Sequence, residues 1–460
     1  MCEFVSRPDL RPPAAIVSGG SAAPGYLFLG PGAGAAQAGP LLLDNGGQTV
    51  WFRPITRELW LTNFRRSHYR GQPVLTWWEG KMTREGYGRG EGVIVDSSYR
   101  ELARVRAGNG REMDSHEFHL TPQGTALFVC YPDSVPADLS SLGGPSSATI
   151  QQSVVQEVDV HSGRVIFEWR SLEHIPIEES YQPAARVYDY IHLNSIGLTP
   201  DGNLLVSARC TWALYKLDRR TGAVIWRLGG KASDFNLESD AVFSWQHDAR
   251  QPNSSKITLF DDAAAYLDDG SGMTATEQQS RGVVLDVDEK SRQVRLARSY
   301  HHPDPLLASA MGSFQTLPDG QVLIGWGSDR YSSTNPLFVA SVFSAEGKLV
   351  SDVRMNGKHT SYRAYHYPWA ANPPDRPAVV AKRAARTGEI TLYVSWNGAT
   401  AVSHWLVHAG SRPDALAPFG IAARRGFETV IQLGVASGYA QVTALDASGR
   451  KLASTRAVRL

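Results

Sequence analysis

Residues 214–229 read LYKLDRRTGAVIWRLG. An apolar strand runs into Asp218, a short polar turn carries Gly222, and a second strand follows with Val224, Ile225 and Trp226. A Gly-containing turn between β-branched and aromatic runs is the local signature of a β-hairpin. The same strand–turn–strand pattern recurs with a turn Gly at 41–54 (LLLDNGGQTVWFRP), 155–169 (VQEVDVHSGRVIFEW) and 340–353 (ASVFSAEGKLVSDV), and without one at 93–105 (VIVDSSYRELARV) and 283–297 (VVLDVDEKSRQVRLA). The turn-entry residues are Asp44, Asp96, Asp159, Asp218, Asp286 and Ser344, spaced by roughly 60 residues. One hairpin per period leaves room for two further strands. Four-stranded units repeated radially make a β-propeller, and six copies predict six blades. Trp51, Trp169 and Trp226 are expected to pack between neighbouring blades.

A second series fits the inner strands of those units: HEFHLTPQGTALFV (116–129), HLNSIGLTPDGNLLVSAR (192–209), WQHDARQPNSSKITLFDD (245–262) and SFQTLPDGQVLIGWG (313–327). In each, a polar segment precedes a proline-bearing turn and a hydrophobic strand follows. These segments should therefore meet near the propeller axis. The tail differs. Residues 371–390 are rich in Pro, Ala and Arg and read as a linker, and 391–460 carry short alternating strands. The expected fold is all-β: a partly irregular N-terminal segment (1–25), a six-bladed propeller (26–370), the linker, and a small fibronectin type III-like β-sandwich (391–460).

Composition narrows the function. Lys and Arg number 46 against 45 Asp and Glu, a net charge of +1, and a balanced chain lacks the basic surplus that a nucleic-acid partner selects. No apolar run is long enough to span a bilayer. Cys2, Cys130 and Cys210 are too few for a disulfide framework or a closed zinc site, although a Cys130–Cys210 bridge stays open. The start, MCEFVSRPDLRPPAAIVSGG, lacks a basic stretch followed by an apolar core of roughly ten residues. Read literally, that places the chain in the cytoplasm.

Three of the thirteen histidines stand at matching places: His116, His192 and His247 each begin or precede an inner-strand segment of a different unit. One such histidine usually caps a turn. Three in register, with Asn194 and Gln246 beside them, suggest a shared site. Arg209 ends the strand GNLLVSAR and offers a planar fork of donors suited to an oxyanion. Together these residues make a receptor for an anionic tetrahedral group. Two or three histidines also suit a metal, but Arg209 opposes a nearby cation, so neither metal nor cofactor is expected. Tyr190, Trp212 and Trp245 are candidates for lining an aromatic pocket.

The stretches DYIHLNSI through SAR (189–209), FSWQHDA (243–249), HEF (116–118) and GSFQTLPDGQVLIGWG (312–327) resemble the arylsulfotransferase family, whose members transfer sulfuryl groups without a nucleotide donor. The likeness covers most of residues 25–370 and is closest to the shorter actinobacterial and fungal branch. It implies a six-bladed propeller and a ping-pong reaction from an aryl sulfate donor to a phenolic acceptor through a sulfated histidine. By position in the QHD motif, His247 would be the nucleophile. His116, His192, Asn194 and Arg209 match the positions that bind the sulfuryl group and handle protons, with Gln246, Tyr190 and Trp245 nearby. The better-known members are exported and carry their extra β-domain before the propeller, so the resemblance points to an extracytoplasmic setting that the N-terminus does not support. The hairpins also resemble those of scaffold propellers and quinoprotein dehydrogenases. A non-catalytic binding propeller and a quinoprotein-like oxidoreductase are the alternative readings.

Overall fold

A computed structural model describes the chain except residues 21, 33–36, 84–85, 267–272, 276–278, 328–336 and 357–358. Part of the Gly-rich stretch GPGAGAAQAG at residues 30–39 lies outside the described residues. The protein is all-β, and its helices among the described residues are four single 3₁₀ turns.

Successive hairpins build antiparallel meanders. The fourth is the plainest, with Leu193–Leu198, Leu204–Ala208, Ala213–Leu217 and Val224–Gly229 paired in order. The second (from Trp60–Tyr69 to Glu101–Val105) and third (from Met113–Leu120 to Val165–Arg170) join through Gly90 and Met113 into one larger sheet. The fifth runs from His247–Asn253 to Gln293–His301, and the sixth from Ser313–Thr316 to Leu349–Met355. The first joins distant parts of the chain: Ser361–Tyr367 pairs with Tyr26–Pro31, followed by Leu41–Leu43 and Thr49–Phe52. Ala15–Gly19, within the segment expected to be partly irregular, adds an edge strand to the sixth.

Local chemistry explains the turns. An Asp carboxylate oxygen accepts two backbone N–H groups of its own turn at Asp44, Asp96 and Asp218, which stabilises the reversal without any distant partner. In the fifth meander this role falls to Asp288, which accepts from the Lys290 and Ser291 N–H groups. The alternating pattern had pointed to Asp286, which instead pairs with Lys256 across the sheet.

The hydrophobic core is divided among the meander interfaces. One cluster joins Leu127, Val155 and Trp169 of the third to Leu193, Val206 and Tyr215 of the fourth. Others join the fourth to the fifth, the fifth to the sixth, and the sixth to the first. The first meets the second, and the second meets the third. The interfaces therefore return to their starting point. Trp169 and Trp226 are fully buried as the aromatic pattern predicted, and the Trp169 indole N–H donates to the Gly222 carbonyl of the next meander at 3.1 Å. The first strands of the meanders likewise neighbour one another in cyclic order. Polar side chains at the head of those strands are thus brought to one hub.

The tail forms two further sheets. Ala378–Arg383, Glu389–Ser395 and Glu428–Val435 make one, and the other is built around His404–Arg412 and Tyr439–Leu445. They share a core of Ile390, Leu392, Trp405, Val407 and Val442. The stretch read as linker therefore already contains a strand, Ala378–Arg383, whose apolar AVV lies among prolines and arginines that masked it. Asn397 ties this unit to the first meander by exchanging hydrogen bonds with the Phe52 backbone at 3.0 and 2.9 Å.

Candidate functional site

His116 lies on the first strand of the third meander, His192 immediately precedes that of the fourth, and His247 opens that of the fifth. All three are buried, and each presents Nδ1 to a carboxylate. His116 faces Asp114, His192 faces Asp189 at 2.5 Å, and His247 faces Asp262 at 2.7 Å. A carboxylate on Nδ1 fixes the ring and its tautomer and leaves Nε2 as the working nitrogen.

The Nε2 atoms of His116 and His192 stand 3.0 Å apart. At that distance a proton on either nitrogen makes a hydrogen bond between the rings. His247 Nε2 accepts the Met311 N–H at 3.2 Å. That nitrogen therefore carries a lone pair, and the proton on the ring sits at Nδ1, facing Asp262. Burial holds the His247 pKa well below the ordinary histidine value, and the positive charge of Arg209 adds to this. Burial raises the Asp262 carboxyl while Arg209 opposes the rise. The imidazole is neutral, and its Nε2 electron pair faces the Met311 N–H.

Arg209 follows its strand and donates Nη2 to the Ser309 carbonyl at 3.2 Å. Its guanidinium lies over the Trp245 ring at 4.4 Å, and that ring packs with Cys210 and Trp212. Several residues here have left-handed backbone: His192 (φ 49°), Trp245 (φ 59°), Asp248 (φ 52°) and Met311 (φ 70°). Such conformations cost about 1–3 kcal/mol each and tend to gather where function demands an exact placement.

The structure thus brings together His116, His192, His247, Arg209 and Trp245. Asn194 lies beside them, its amide donating to the Gln246 carbonyl at 2.7 Å. The Gln246 side chain points the other way and donates to Ser207, Ala208 and Ala213, tying the fifth meander to the fourth. Tyr190 sits in the core between the third and fourth meanders, its hydroxyl on the Ile175 carbonyl at 3.3 Å. Sequence reasoning missed the three aspartates, although Asp114 and Asp189 stand two and three residues before their histidines.

Asp189, His192 and Cys210 offer ligand atoms within 4.8 Å of one another. They fit a metal poorly. His192 Nδ1 is engaged with Asp189, burial pushes the Cys210 thiol upward, and the Arg209 cation lies close enough to influence both Asp189 and Cys210. Cys130 and Cys210 are both free thiols, which closes the question of a bridge.

Beneath the histidines lies a buried charge cluster. Glu117 accepts from Arg65 at 2.7 Å, from Arg250 at 2.6 Å and from Arg363 at 3.1 Å, each from a different meander. Asp248, next to His247, accepts from Arg250 at 2.6 Å. Burial, reinforced by Arg65 and Arg250, lowers the neighbouring His119 to about 3. The unfolded chain binds that proton near pH 6.5, and the folded chain does not. The stability this residue confers is complete above pH 6.5 and is lost as pH falls towards 3. Wild type should lose on the order of 3 kcal/mol more than His119→Gln between pH 6.5 and 4, read from denaturant midpoints at each pH.

Carboxylate-supported imidazoles thus converge beside a guanidinium on this all-β scaffold. The chain belongs to the arylsulfotransferase (ASST) family, whose model matches residues 67–331, and this membership supports a sulfotransferase enzyme. No curated protein matches the chain. Among solved structures, a protein of unknown function from Bacteroides caccae is similar at 14% identity and a TM-score of 0.42, covering 74% of this chain and 98% of that one. Saccharomyces cerevisiae Sqt1 is similar at 10% identity and a TM-score of 0.35, covering 81% and 79%.

Proposed function

We propose that the protein transfers a sulfuryl group from an aryl sulfate ester to a phenolic acceptor through a sulfohistidine at His247. The scaffold is a six-bladed propeller followed by a fibronectin type III-like sandwich, a reading supported by the cyclic order of the meander interfaces. The observation that carries the chemistry is the His247 geometry: Nδ1 on Asp262 and a lone pair at Nε2.

In the first half-reaction, Nε2 attacks sulfur as the bond between sulfur and the aryl oxygen breaks. The leaving phenolate takes a proton from the His116–His192 pair, with His192 as the donor. Asp262 balances the charge left on the sulfated ring, whose proton stays at Nδ1. In the second half, the acceptor phenol returns a proton to the histidine pair, its oxygen attacks sulfur, and the bond between nitrogen and sulfur breaks. Sulfuryl transfer resembles phosphoryl transfer in spreading charge over peripheral oxygens, so positioning and fixed donors dominate. Arg209 and Asn194 supply such donors, each worth about 3–4 kcal/mol of barrier. The Met311 N–H must leave the lone pair before attack, and it then stands beside the sulfuryl oxygens. Trp212, which is partly exposed and packs against the buried Trp245, provides aromatic surface for the phenol ring.

The test pairs a chromogenic aryl sulfate with an added phenol. Phenol-dependent release, together with a single sulfonate on the peptide containing His247 after brief exposure to donor, is expected. Release without a sulfonated histidine, unaffected by phenol, would reject this mechanism.

A further inference from the structure

Ser361–Tyr367 completes the first meander by pairing with Tyr26–Pro31, and it lies outside the segment that matches the family. Tyr362 and Arg363 on this strand are 9% and 3% exposed. Arg363 Nη2 donates to the Asn194 carbonyl at 2.9 Å and to the His116 carbonyl at 3.3 Å. Its Nη1 donates to Asn63 at 2.6 Å and to Glu117 at 3.1 Å. The Tyr362 hydroxyl donates to the His116 carbonyl at 3.2 Å. The Tyr362 carbonyl accepts the Gly312 N–H at 3.1 Å, and Gly312 follows the Met311 that sits on His247. Two residues on, the Tyr365 hydroxyl donates to Asp248, the neighbour of His247. A single strand therefore grips the segments that deliver His116, Asn194, Met311 and His247, which come from four different meanders.

We infer that Tyr362 and Arg363 are positioning residues for the transfer reaction. They touch neither sulfur nor the leaving group. They set the spacing between the segment bearing His116 and the segment bearing His192 and Asn194 by holding both main chains at once. A guanidinium suits this because its fork spans two carbonyls with fixed geometry, which a lysine ammonium cannot reproduce. A misplacement of about 1 Å among reacting groups costs roughly 100-fold in rate, and the hydrogen bond between His116 and His192 is the contact most sensitive to that spacing. The inference rests on the sulfuryl-transfer reading of the site.

Full-length Arg363→Lys, Arg363→Ala and Tyr362→Phe variants test it, alongside ¹⁵N-histidine NMR of the imidazole groups. Arg363→Lys should lower kcat about 100-fold and Tyr362→Phe about 10-fold, with KM within about twofold of wild type. Millimolar guanidinium should restore part of the activity of Arg363→Ala. The His116 and His192 ring signals should shift in each variant while near-UV circular dichroism stays native. Unchanged kcat and unchanged ring signals would overturn the inference. A loss of kcat that merely tracks a loss of folded protein, with no guanidinium rescue, would also overturn it. If Arg363→Lys fails to fold, Tyr362→Phe alone decides. Should wild type transfer no sulfuryl group at all, the reaction assignment falls, and the ring signals still report whether this strand sets the histidine spacing.

Discussion

His247→Ala should reduce phenol-dependent release from an aryl sulfate by about 10⁴-fold or more, with no sulfonate found on the protein. Removing the nucleophile of a covalent mechanism leaves only what binding and fixed donors supply, which is the pattern seen when one member of a nucleophilic triad is deleted. The loss should appear in kcat, because Arg209 and Trp212 still hold the donor. Asp262→Asn provides the companion arm. The asparagine keeps the shape but no longer demands a proton at Nδ1, so the ring can turn its proton to Nε2 and lose the attacking pair. A drop of about 10³–10⁴ with the fold intact is expected. Full activity in His247→Ala would remove the covalent role altogether.

Glu117→Gln should be the most destabilising conservative change in the hub, costing about 3–5 kcal/mol in a denaturant titration. Three guanidiniums contact this carboxylate at 3.1 Å or closer, and the carboxylate itself is fully buried. A buried ion pair adds little over an apolar replacement, but deleting one partner leaves the others charged and dry. Asp248 alone would then face Arg250 and Arg363. A cost under about 1 kcal/mol would show that water reaches the cluster and compensates for the missing charge.

The hairpins were legible because their causes are local. Five have an Asp that accepts from its own turn, the sixth has Ser344 in that place, and three carry a tryptophan in the second strand. Residues 283–297 show the limit, since Asp286 and Asp288 both fit the pattern and only the register separates them. His116, His192 and His247 stood out by their matching places on successive units and Arg209 as the end of its own strand, and the fold brings the four near one another. Their aspartate partners at 114 and 189 were equally close at hand, but only geometry shows that a carboxylate meets Nδ1. Tyr190 and Trp245 looked alike in sequence, and both are fully buried, Tyr190 between two meanders and Trp245 under the Arg209 guanidinium. Arg363 was out of reach, because its contacts to His116 and Asn194 cross more than 160 positions of chain.

Because Ser361–Tyr367 completes the meander that Tyr26–Pro31 begins, the order of synthesis matters. A ribosome will have released most of the polypeptide before the hub strand that pairs with Tyr26–Pro31 exists. Until then a nascent chain exposes an unpaired strand edge and holds its histidines apart, so prematurely terminated products should be inert as well as sticky.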